Sequence, residues 1–146
     1  MDKPHAHRLR KGRISETNRI YFLTTSTSDR KPVFSDFKYA RQLIGILRGC
    51  TTMDRAQTIC FVVMPDNLHW LMQLNEGQNL SDIVRTVKSL SSKQIGQRIW
   101  QRGFYDHAIR RDEDIRPLAR YIVANPVRAG LVESVGLYPH WDAIWL

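Results

Sequence analysis

The stretch from Gln57 to Leu74 constrains the fold most. Q-T-I-C-F-V-V-M, 57 to 64, is almost unbroken apolar sequence, Pro65-Asp66 interrupts it, and L-H-W-L-M-Q-L then resumes from Leu68 to Leu74. Two strand-length segments separated by so short a break pair most readily as an antiparallel hairpin. The unbroken first strand implies cover on both of its faces. In the second strand the side chains alternate, so Leu68, Trp70 and Met72 share one face and Asn67 and His69 the other. The first face reads as core. The second brings two polar side chains to the turn end of the hairpin, where they can converge on one ion or phosphate. An Asn and a His on a strand are ordinary surface residues unless another part of the chain supplies partners.

The remaining elements supply a frame for that hairpin. Ile20 to Thr25, I-Y-F-L-T-T, reads as a first strand, rich in β-branched and aromatic residues. Ser35 can cap a helix from Asp36 to Arg48 that buries Phe37, Ala40, Ile44 and Leu47, with Gly49 just past its end. Asn79 caps a second helix, Leu80 to about Gln97, whose apolar stripe is Leu80, Ile83, Val84, Val87 and Leu90, with Arg85, Lys88 and Lys93 pointing elsewhere. A further strand is expected near Phe104 to Ile109. In the last helix Asp114 caps, Pro117 falls in the first turn, and Ile115, Leu118, Ala119 and Ile122 form the buried stripe. Pro126 is expected to end it. Tyr121 and Asn125 then lie one turn apart, beside the stripe. The aromatic tail after Gly130 is expected to pack back on the body. The order strand, helix, strand, strand, helix, strand, helix predicts an α+β fold with an antiparallel sheet covered by helices. Residues 1–146 read as a single domain, with 1–18 as a basic N-terminal arm containing Arg8, Arg10, Lys11 and Arg13.

Charge narrows the partner. The chain carries a formal net charge of +8, which favours polyanions because each Lys or Arg set on a phosphate releases a counterion. Cys50 and Cys60 lie in or beside apolar segments without metal-ligand spacing and read as buried free thiols. The N-terminus lacks the apolar stretch of a signal peptide, and no apolar run reaches membrane-spanning length. A cytoplasmic protein with no membrane partner is expected.

Four ordered blocks, R-L-R-K-G-R, V-V-M-P-D-N-L-H-W-L, I-W-Q-R-G-F-Y-D-H-A-I-R and Y-I-V-A-N-P-V-R-A-G-L-V, together resemble the single-tyrosine HUH transposases, most closely the REP-associated tyrosine transposase branch. The resemblance covers nearly the whole chain. It implies the HUH, ferredoxin-like transposase fold and a divalent metal, Mg²⁺ or Mn²⁺. It also implies a single-stranded or hairpin DNA partner, no nucleotide cofactor, and a monomer or a homodimer. In that family an H-x-H pair and a polar residue four after the catalytic tyrosine hold the metal. Carried over, the nucleophile falls on Tyr121, the second histidine on His69 and the helical ligand on Asn125. The first histidine falls on Asn67, a departure at the centre of the site.

The chemistry implied is transesterification through a covalent 5′-phosphotyrosine. A phosphodiester is shielded by its own charge, so a hydroxyl nucleophile needs a cation on the non-bridging oxygens. Asn67 offers a neutral hard oxygen that Mg²⁺ and Mn²⁺ accept, whereas imidazole suits softer metals better. Weakened metal affinity shifted toward hard ions is expected, with attenuated cleavage. The alternative is a DNA-binding descendant that no longer cuts. An RNA-binding or purely structural protein would leave the tyrosine block without a role. Asp66, on the opposite face, is not expected to substitute for the missing histidine; His107, on another strand, could approach the site, but a structural role is the expectation. Lys88, Arg102 and Arg128 are candidate DNA contacts that also read as exposed charges or ion-pair members. Trp70, Trp100 and Trp141 could stack bases, but their apolar neighbours favour packing.

Overall fold

The structure, a computed structural model, describes residues 18–110 and 113–144. Its elements run β1 (Ile20–Ser26), α1 (Phe37–Thr52), β2 (Ala56–Met64), β3 (Asn67–Leu74), α2 (Leu80–Ile95), β4 (Tyr105–Ala108), α3 (Arg116–Val123), α4 (Asn125–Arg128) and β5 (Trp141–Ala143). The five strands form one antiparallel sheet in the order β4-β1-β3-β2-β5. The expected hairpin is its centre, β2 against β3, with Met64 opposite Asn67 and Val62 opposite His69.

Alternation assigns the two faces. Leu68, Trp70, Met72 and Leu74 join Leu23, Phe61 and Val63 in a core that α1 and α2 cover with Leu43, Ile44, Leu47, Ile83, Val84 and Val87. Trp70 is fully buried there, and its indole N–H donates to Thr58 Oγ1 at 2.9 Å, which removes the cost of burying an unpaired donor. The other face carries Cys60, Val62, Met64 and Leu71 under Ala119 and Ile122 of α3. Cover on both sides is why β2 is apolar from Ile59 to Met64. A bulge between Thr58 and Cys60 lets Ile59 join this second core as well.

Several boundaries differ from the expectation. Asp36, not Ser35, caps α1: its Oδ1 accepts from the N–H of Lys38 and Tyr39 at 2.9 and 3.3 Å. Ser35 is held in a 3₁₀ turn, Val33–Ser35, where buried Phe34 fixes the chain. Phe37 is then 62% exposed rather than buried. Helix α1 runs through Gly49 to Thr52 because Cys50 packs into the core, and Asp54, with φ 59°, takes the left-handed turn expected of Gly49. In α2 the stripe ends on Ser91 instead of Leu90, which is 43% exposed. The buried Trp100 indole needs an acceptor and finds Ser91 Oγ at 2.8 Å. Gly96, φ 92°, closes that helix. Pro126 does not end the helical path. The break falls at Ala124, and Pro126 sits in the first turn of α4, where a missing N–H is harmless. Asp114 acts one residue outside the formal cap position, accepting from Arg116 N–H at 3.0 Å. The tail returns as β5, paired with β2, and the Tyr138 hydroxyl donates to the Val63 carbonyl at 2.6 Å. Cys50 and Cys60 are buried free thiols; burial pushes the Cys60 thiol up to about 12.

Candidate active site

Directly opposed residues of an antiparallel sheet point to the same face. Thr24 and Val62 flank His69 on β1 and β2, and Ser26 and Met64 flank Asn67. Val62 and Met64 pack under α3. Asn67 and His69 therefore lie on the side of the sheet that α3 covers, at the turn end of the hairpin. Tyr121 and Asn125 lie on the α3–α4 segment of that same side.

Asn67 is buried and oriented by its neighbour. Its Nδ2 donates to Asp66 Oδ1 at 2.7 Å, and since a carboxylate only accepts, the amide nitrogen is fixed on that side. Asp66 is in turn held by Arg30, whose Nε donates to Oδ2 at 3.0 Å. Asn67 Oδ1 is left buried with no hydrogen-bond partner among the described residues. A buried unpaired acceptor is costly and calls for an explanation such as a bound ion or water. Two positions on, His69 Nδ1 lies 3.0 Å from Thr24 Oγ1, and its ring packs beside Phe22 with centroids 5.9 Å apart. When Nδ1 donates to the threonine oxygen, Nε2 is the nitrogen that can act as a ligand. Asp66 accepts from Arg30 and Asn67.

On the helix side Tyr121 is 59% exposed. The Arg128 guanidinium carbon stands 3.6 Å from the centre of its ring, and Arg128 Nη2 donates to Asn125 Oδ1 at 2.7 Å. Asn125, Tyr121 and Arg128 are thus one linked group. Among the described residues no three His, Cys, Asp or Glu side chains come together as a metal cluster. The candidate donors on this side are the unpartnered Asn67 oxygen, the His69 imidazole and the Asn125 oxygen, which accepts from Arg128; carboxamide oxygens are donors that hard divalent ions accept.

The remaining expected contacts are dispersed. Arg8, Arg10, Lys11 and Arg13 lie outside the described residues. Lys88 is half-buried, with its ammonium on the carbonyls of Gln101 and Gly103, so it fastens α2 to the loop before β4. Arg102 is exposed and lines an open cleft of about 940 Å³ together with Arg85, Lys88, Arg98 and Trp100. That loop pairs with the end of β1 through the Thr27–Trp100 bridge and the Gln101 N–H to Ser26 carbonyl bond. The cleft therefore opens beside the strand that neighbours Asn67. His107 is exposed on the edge strand β4, opposite Phe22. Trp100 is buried, and Trp141 donates its indole N–H to Val135 O at 3.0 Å, so the tryptophans pack. Sequence reasoning missed Thr24, Arg30 and Arg98. No local signal marks Thr24, because its place beside His69 is set by the β1–β3 register.

Comparison with known proteins places the sequence and the fold. The family model "Transposase IS200 like" matches residues 15–125, a span ending on Asn125. A REP-associated tyrosine transposase of Escherichia coli is 31% identical over 135 residues, covering 86% of this chain and 81% of that protein. A Haemophilus influenzae protein provisionally given the same name is 29% identical, covering 83% and 77%. The solved structure of a REP-associated tyrosine transposase bound to a REP hairpin superposes with a TM-score of 0.72 at 29% identity, covering 88% of this chain and 79% of the other.

Proposed function

The chain belongs to the transposase IS200 like family, and we propose that it binds single-stranded or hairpin DNA and nicks and rejoins it through Tyr121 with the help of Mg²⁺ or Mn²⁺. The observation that carries the metal-dependent part is the buried, unpartnered Asn67 Oδ1, two residues from His69 and on the sheet side covered by α3. Asn67, His69 and Asn125 would hold the ion. When bound, it would withdraw charge from the non-bridging oxygens of the phosphodiester.

The rest falls to the chain. Tyr121 Oη attacks phosphorus, an Oη–P bond forms, and the bond from phosphorus to the preceding nucleotide's O3′ breaks. The phenolic proton is lost to solvent and the departing O3′ gains one, leaving a free 3′-hydroxyl and a 5′-phosphotyrosine. Attack by a 3′-hydroxyl on that linkage reverses the step with no external energy source. Exposure of Tyr121 gives a DNA strand access to the hydroxyl. Thr24 orients His69. The hairpin-bound relative supports hairpin DNA as the substrate class, and the cationic cleft beside β1 offers a place for its phosphates.

A second reading has its own observation. Asn125 Oδ1 is already engaged by Arg128, and the resemblance sets Asn67 at the place of the first histidine, so a protein that grips hairpin DNA without cutting it fits the same fold. Incubating the purified chain with hairpin-bearing single-stranded DNA and Mg²⁺ or Mn²⁺, then resolving it on a denaturing gel, separates the two. A protein–DNA adduct that Tyr121→Phe abolishes supports cleavage. Tight, salt-sensitive binding without adduct in either metal supports the second reading.

A further inference from the structure

We propose that Arg128 is a positioning residue for Tyr121 and not a DNA phosphate contact, an inference that rests on Tyr121 being the nucleophile. One guanidinium does two jobs. It lies over the Tyr121 ring, 3.6 Å from its centre, and donates to Asn125 Oδ1 at 2.7 Å. A tyrosine that is 59% exposed has little packing of its own to select a rotamer, and the stack supplies it. The hydrogen bond gives the stack a fixed point, because Asn125 is half-buried at the start of α4.

The arrangement depends on the backbone. Positions 121, 125 and 128 share one side only if the chain keeps its helical course across Ala124, as it does, with φ −83° and ψ −2° there and Pro126 in the first turn of α4. Had Pro126 turned the chain away, Arg128 would not reach Tyr121. The chemistry also favours arginine. Its planar, delocalised cation stacks on an aromatic face while its edge donates in plane, whereas a lysine ammonium offers a point charge and cannot do both. Stacked on its face and bonded at one edge, the guanidinium has its direction set by Tyr121 and Asn125.

The two roles separate experimentally. Arg128 is exposed, so Arg128→Ala is expected to fold, and Arg128→Lys keeps the charge. Three readouts on the full chain decide: hairpin-DNA affinity against salt, single-turnover adduct formation with saturating DNA and Mn²⁺, and the ring resonances of Tyr121 in DNA-free protein, assigned through Tyr121→Phe. We expect both variants to shift or broaden the Tyr121 ring signals and leave the Kd and its salt slope as in wild type. Adduct formation should slow by about 10²-fold, the scale of a misplaced reacting group, and lysine should not rescue it. Unmoved Tyr121 signals overturn the proposal. So does a weakened Kd with a salt slope lower by roughly 0.7 to 0.9, the mark of one lost phosphate contact. If wild type forms no adduct, the cleavage reading fails on its own account, and the ring signals alone decide the role of Arg128.

Discussion

Asn67 and Thr24 set what the site can hold. The unpaired Asn67 oxygen is a weaker donor toward first-row metals than an imidazole, so Asn67→His is expected to bind Mn²⁺ more tightly in a direct titration. Unchanged affinity would remove Asn67 from the donor set. Thr24 acts through His69. Thr24→Val keeps the shape of a fully packed strand residue but deletes the oxygen 3.0 Å from Nδ1. Loss of such an orienting partner weakens metal binding by about 10 to 100-fold, and Thr24→Ser should restore it; equal Mn²⁺ affinity in the valine variant would refute the assignment. The Asn67–His69 pairing on one strand face was legible in the sequence because strand alternation has a period of two. Thr24 was not, since cross-strand register depends on the whole sheet.

Among elements, the tail shows how local patterns can miss an ending. Three residues, Trp141 to Ala143, are too short to announce a strand, yet they close the sheet beside β2. His140, just before them, is buried between Phe37 and Tyr138, with ring centroids 5.2 and 5.6 Å away, and its Nδ1 has no partner among the described residues. Burial, then the nearby Arg41 cation, hold its pKa below the ordinary 6.5. Above that value the imidazole is neutral in both folded and unfolded chains and carries no penalty. As pH falls through 6.5 the unfolded chain takes up the proton first, so stability is lost. The unfolding midpoint is expected to drop on acidification, and His140→Phe should flatten that dependence; an identical slope in the variant would locate the effect elsewhere. Helix centres, by contrast, were readable from the apolar period. Their ends were not, because Asp36 competes with Ser35, Asp54 with Gly49, and Ser91 with Leu90, each decided by a tertiary contact.

At the scale of the whole molecule, the fold places Asn67 and His69 at the turn end of the sheet side that α3 covers, and a cationic cleft between α2, on the opposite side, and the loop beside β1. The net charge of +8 is general, but Arg85, Arg98 and Arg102 give it a location along the α2 and pre-β4 side of the cleft. Arg102→Ala is expected to lower the salt slope of hairpin-DNA binding by about 0.7 to 0.9 without touching the adduct step; an unchanged slope would place the DNA elsewhere. Composition could announce a polyanion partner, whereas only the packing of α2 against the 98–103 segment gathers these arginines along one cleft. The central claim is that Tyr121 is the nucleophile that becomes linked to DNA. Intact-mass measurement of the chain after incubation with hairpin-bearing DNA and Mn²⁺, followed by peptide mapping, tests it directly. The account predicts the added mass of the DNA segment downstream of the nick, joined through its 5′-phosphate to the peptide containing Tyr121 and absent in Tyr121→Phe; DNA covalently retained by Tyr121→Phe, or attached to any other residue, would contradict it.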